Sequence, residues 1–123
     1  MKRLQKWKDS ANLVAMNPKF ILVSEPGNPL VGTFVYGMVD QHKDLLHSYE
    51  EVHGYVKIHG GGWYHKDDHT RTMCLYGSSG DYGEPQFCFL DRIPAELKGY
   101  DFTYSAVWGY EGKPLNVDAV EWI

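Results

Sequence analysis

Along the 123-residue chain, apolar positions fall in short runs and in every-other-residue patterns, the period of strands rather than of long helices. Residues 20–23 (FILV) form a continuous apolar run that predicts a buried strand. Pro26-Gly27-Asn28-Pro29 predicts a turn, because Pro presets φ while Gly and Asn tolerate positive φ. Residues 31–39 (VGTFVYGMV) are apolar on both faces and predict a central strand. Asp40 then predicts a cap for a short helix over 41–50, with Leu45, Leu46 and Tyr49 as its apolar stripe. Residues 52–59 (VHGYVKIH) place Val52, Gly54, Val56 and Ile58 on one face and His53, Tyr55, Lys57 and His59 on the other. That alternation predicts a strand ended by Gly60-Gly61-Gly62, with Trp63 and Tyr64 beyond it and a polar loop over 65–69.

Residues 72–76 (TMCLY) and 86–90 (QFCFL) predict a hairpin that sets Met73 opposite Phe89, Leu75 opposite Phe87 and Cys74 opposite Cys88. Residues 94–98 predict a helical turn, with Pro94 at its start and Gly99 after its end. Residues 102–108 alternate as a half-buried strand, and 116–123 fit either a last helix capped by Asn116 or an edge strand. Leu4 and Trp7 share one face of a short helix over 2–9. The fold class expected is α+β: a single domain over 1–123, a mainly antiparallel β-sheet and two to four short helices, with 1–10 a basic arm or a short helix.

Composition narrows this picture. Hydrophobic residues make up 43% and charged residues 23%, the balance of a globular chain. No apolar run approaches the roughly 18 residues of a membrane span, and no apolar core follows the Lys-Arg start as in a secretory signal. The expectation is a cytoplasmic protein with no membrane partner. The net charge of −4 hides a polarity: residues 1–20 carry +4, residues 21–77 carry −3 and residues 78–123 carry −5. An acidic body of this kind is poorly suited to duplex phosphates and better suited to a basic partner. Cys74 and Cys88 lack zinc-ligand spacing and read as reduced thiols.

Candidate chemistry sits in the middle of the chain. All six histidines lie between His42 and His69. Imidazole ligates metals and titrates near neutrality, so His65, Asp67, Asp68 and His69 are candidate ligands for a divalent metal. With His59 they would suit a metal-dependent phosphodiesterase or hydrolase; the alternative is a polar surface loop. Gly60, Gly61 and Gly62 are candidates for an anion-binding nest, with His59, Trp63 and Tyr64 beside them to hold and stack a nucleotide. The alternative there is a tight turn or bulge. Nine Tyr, five Phe and four Trp are too many for this core to bury entirely; Trp63, Tyr64, Tyr76, Tyr82 and Tyr110 fall at strand ends or in loops, and Tyr82, in a Gly/Ser loop, is the best candidate for an exposed anchor.

Two resemblances rest on the string VKIHGGGWY. It resembles the oxyanion-hole segment of lipase- and esterase-type hydrolases, but that chemistry needs G-x-S-x-G and a later histidine. Gly77-Ser78-Ser79-Gly80 has the wrong spacing and no histidine follows it, so an esterase is excluded. Taken with LYGSSGDYG, the string also resembles small bacteriophage and prophage accessory proteins with an H-G-G-x-[TW]-[YF] strand end, over roughly residues 50–83. That family's second segment carries a Cys and a His that residues 78–82 lack, so no ligand role transfers there. The resemblance implies a phage accessory protein more than a reaction; with the acidic body, the aromatics at strand ends and the missing catalytic set, the expectation is a non-catalytic protein without a cofactor that binds and inhibits a host bacterial protein such as a defence or nucleic-acid-processing factor. Free sheet edges would give a route to a homo-oligomer.

Overall fold

The computed structural model describes residues 17–123, so the helix or arm expected over 1–10 lies outside the described residues. Strand β1 (Asn17–Ser24) is followed by β2 (Gly32–Val39), helix α1 (His42–His53), β3 (Lys57–Asp67), β4 (Thr72–Tyr76), β5 (Leu90–Ile93), β6 (Asp101–Ser105), β7 (Lys113–Pro114) and β8 (Glu121–Trp122). All eight strands join one sheet in the order β7-β6-β4-β3-β1-β2-β5-β8. β1 lies near its centre and is buried from Lys19 to Ser24 because both of its faces are covered.

Strand alternation divides the side chains between two faces. Phe20 and Leu22 of β1, Phe34 of β2, Tyr64 of β3, Met73 and Leu75 of β4 and Phe102 of β6 form the inner core, closed by Ile93, Leu97 and Tyr100. Phe20 stacks on Phe34 at 5.1 Å, and Phe102 meets Phe34 edge-on at 6.0 Å. On the outer face, Ile21 and Val23 pack with Leu45 of α1 and with Val56. Helix α1 starts at Gln41 rather than Asp40: the Gln41 N–H donates to Asp44 Oδ2 at 2.9 Å, closing the first turn. It ends at Gly54, whose φ of 82° lets its N–H return to Glu50 O at 2.8 Å.

Several sequence expectations are corrected. The sheet is mixed rather than mainly antiparallel, since β2–β5, β4–β6 and β5–β8 pair in parallel. Among the described residues there is one α-helix, with two three-residue 3₁₀ turns at Phe87–Phe89 and Ala95–Leu97, not two to four helices. Val52 and His53 finish α1 instead of opening a strand. The three glycines do not end β3, which runs on through Trp63, Tyr64 and His65 to Asp67. The 72–76/86–90 hairpin is absent. β4 pairs instead with β3 and β6, and Cys74 and Cys88 are free thiols.

The cause of the last two differences, the continued β3 and the absent hairpin, is local. Residues 77–86 do not turn back as a hairpin loop but lie over the glycine block of β3. There the Gly61 N–H donates to Gly83 O at 3.1 Å, the Ser79 N–H to Gly61 O at 2.9 Å and the Gln86 N–H to His59 O at 2.9 Å. The 116–123 segment takes the edge-strand alternative, as β8 beside β5.

Candidate functional site

The outer face of the sheet has two halves. Over β1 and β2 it is aliphatic and covered by α1. Beyond β1 the register places Trp63 of β3 opposite Lys19 of β1 and opposite Tyr76 of β4. His65 lies opposite Cys74, and Cys74 in turn opposite Thr103 of β6. The rings form a strip: His42 meets Trp63 edge-on at 5.0 Å, Trp63 lies 6.4 Å from Tyr76, and Tyr76 lies 4.3 Å from Trp108. His65 flanks Trp108 at 6.2 Å. Trp108 belongs to the loop between β6 and β7 and is 59% exposed; Tyr110 in the same loop is 73% exposed. Rings held side by side on a rigid sheet offer a large contact area at little entropy cost.

Buried polar groups fix the helix end of the strip. Lys19 is buried, and its ammonium donates to Val39 O at 3.3 Å and Asp40 O at 2.5 Å. These carbonyls replace the water its charge has lost. His42 is buried with Nε2 2.8 Å from Gly62 O, and burial holds its imidazole below the usual 6.5.

The glycine block explains how His42 reaches Trp63. A side chain at Gly61 would overlap Phe20 O and lie against His42. At Gly60 the β1–β3 register slips, with Ile21 opposite Gly61 and Val23 opposite Ile58, so β3 spends one extra residue in a bulge. Gly60 has a φ of 94°, and a side chain there would overlap Glu84 O. Gly60, Gly61 and Gly62 are therefore buried contact points for neighbouring backbone, and the Gly61 amide already donates to a carbonyl.

His59, beside the bulge, is buried and stacks on Phe89 at 4.2 Å. Burial also holds it below 6.5. Its Nε2 lies 2.7 Å from Ser24 Oγ, and the Ser24 hydroxyl donates to Pro29 O at 3.1 Å. Ser24 and His59 are both buried and share Pro29 O as a partner, so the hydroxyl is not presented to a substrate. Tyr64 points into the inner core, edge-on to Tyr36 at 5.4 Å, and burial raises its pKa. Tyr82 is half-buried against the Ile21–Leu45 cluster, its N–H donating to Ser79 Oγ at 3.1 Å. Of the seven expected ligand-binding residues, the structure places Trp63 alone on the strip.

The expected metal ligands have other partners. Asp67 Oδ1 accepts from the Thr70 N–H at 3.2 Å and the His69 N–H at 2.9 Å, which holds its carboxyl below the usual value. Asp68 accepts from the Tyr100 hydroxyl and from Lys66, the latter at 2.9 Å, and is lowered too. His65 points to Trp108, away from these turn contacts. Among the described residues no group of three or more His, Cys, Asp and Glu side chains converges in a way that could hold a metal ion. Among the described residues, likewise, no helix is long and apolar enough to cross a membrane.

Sequence reasoning missed the roles of Trp108, Lys19 and His42 and, although it counted Tyr76 among the strand-end aromatics, missed its pairing with Trp63. A signal for that pairing was present: continuing β3 to Asp67 and turning at 68–71 puts Trp63 directly opposite Tyr76. No family model matches the chain, and no curated protein matches its sequence.

Proposed function

We propose that the protein is a non-catalytic binding protein of the phage-accessory type, which engages a host bacterial protein in the cytoplasm through the aromatic half of its outer face. The observation that carries the reading is the contrast on one sheet face. Helix α1 covers Ile21 and Val23, whereas Trp63, Tyr76 and Trp108 continue outward to exposed Trp108 and Tyr110. Large exposed apolar side chains in a contiguous patch are the usual mark of a protein interface. The buried Ser24–His59 pair and the committed carboxylates of Asp67 and Asp68 favour binding over hydrolysis. Occupied glycine amides favour a protein partner over a nucleotide phosphate.

The test is capture from bacterial lysate on immobilised wild type and on Trp63→Ala, Trp108→Ala and Tyr82→Ala variants. A retained protein that is lost with either Trp variant and kept with Tyr82→Ala supports the reading. Retention of the same proteins by all four contradicts it.

A further inference from the structure

The loop between β6 and β7 does more than carry Trp108. Residues 106–112 fold back over the outer face of β4 and β6, and a groove of about 320 Å³ remains between loop and strands. Tyr76, Trp108 and Tyr110 wall it, Cys74 and Thr103 lie along the strands, and Glu111 is the one charged residue in its lining. Glu111 makes no ion pair among the described residues. The groove thus sets three aromatic side chains beside one carboxylate that makes no ion pair among the described residues, with no Lys, Arg or His in its lining. That is complementary to an organic cation and repels an anion.

We infer that this groove is the receptor for an arginine side chain in a basic segment of the protein partner. The inference rests on the partner-binding reading above and specifies the chemistry of that partner. Arginine fits better than lysine for two reasons. Its planar guanidinium lies flat on a tyrosine or indole face, and its fork of N–H donors matches a carboxylate in two-point contact. A volume of about 320 Å³ suits one such side chain rather than a folded element. Trp108 resting on Tyr76 at 4.3 Å holds the two walls in place before the guanidinium arrives, which reduces the ordering cost of binding. A nucleobase would find the same ring faces, but its phosphates would meet Glu111.

The probe is a fluorescein-labelled acetyl-Gly-Arg-Arg-Arg-Gly peptide, followed by anisotropy against the full chain. Peptides with Lys or Gln in place of the three Arg, and a labelled oligothymidine, serve as comparisons. Saturable binding of the arginine peptide is expected, weaker with lysine and absent with glutamine. It should be lost in Trp108→Ala, fall at least about fivefold in Glu111→Gln, and weaken with added salt. Trp108 and Glu111 are exposed, so both variants should keep the wild-type circular dichroism spectrum, which is checked. No saturable arginine binding, equal binding by Trp108→Ala, or tighter binding of the oligothymidine overturns the inference. If lysate capture still depends on Trp63 while the arginine peptide fails to bind, the groove chemistry falls and the partner reading stands. If the arginine peptide binds as expected but capture is indifferent to Trp63, the partner reading falls instead.

Discussion

The two halves of the outer face belong to one sheet yet differ in what lies over them. Over β1 and β2, Ile21, Val23 and Leu45 meet as a packed aliphatic layer under α1. Over β3, β4 and the 106–112 loop, Trp63, Tyr76 and Trp108 line up, and among the described residues no helix lies above Trp108. The boundary is the bulge at Gly60 and the bare Cα of Gly61, where His42 of α1 reaches down to Trp63. On the proposed reading, one sheet separates stability from recognition: aliphatic side chains sealed under a helix hold the fold, and the aromatic ones beyond it meet a partner.

The boundary itself should be the least forgiving position. Gly60→Ala adds a side chain where φ is 94° and Glu84 O already stands, so a loss of more than about 3 kcal/mol in urea unfolding is expected. A change under about 1 kcal/mol would mean that the bulge does not organise the two halves. Next comes Leu45→Ala in the covered half, 6% exposed, with an expected loss of about 2–3 kcal/mol and unchanged partner capture in the folded variant.

Acid should act on the boundary through its two buried imidazoles. His42 and His59 are both held below the 6.5 of an unfolded chain, so between the two values the unfolded state binds more protons. Stability is therefore full above about 6.5 and declines as pH falls from there toward the folded values. His59→Asn should flatten that decline in a series of urea melts. Asp67 and Asp68 are lowered carboxylates, whose contribution is present above the usual 3.8 and lost only below it, so the two windows separate. A decline that began only below pH 4 would place the acid response in the Asp67–Asp68 turn instead. The smallest stability effect is expected in the uncovered half, where Trp108→Ala should cost under about 1 kcal/mol because its ring is largely exposed.

Much of the covered half was legible in the sequence. The apolar run of β1, the two-sided apolar β2 and the Leu45-Leu46-Tyr49 stripe each have a period that a single element can satisfy. The uncovered half was not, and the residues show why. Val52 and His53 fit a strand alternation, but they also complete the last turn of α1, and the positive φ available at Gly54 settles the choice in favour of the helix. Three glycines read as punctuation, since bare backbone is the usual sign of a turn. Here it permits close approach of Phe20 O and Glu84 O inside a continuing strand. Once β3 was cut short at Gly60, Tyr76 lost its true cross-strand partner Trp63, and β4 was matched to residues 86–90 instead. Periodicity misplaces Trp108: the 102–108 alternation sets it on the face of Phe102 and Tyr104, whereas β6 ends at Ser105 and the loop beyond folds back to lay Trp108 against Tyr76.

The central claim is that the aromatic half serves recognition and leaves stability to the rest of the molecule. Its most direct test is one paired measurement on Trp108→Ala: urea unfolding alongside capture of the protein that wild type retains from bacterial lysate. The account predicts unfolding within about 1 kcal/mol of wild type together with lost capture. A variant destabilised by more than about 2 kcal/mol that still captures the same protein would contradict it, because Trp108 would then belong to the core rather than to the interface.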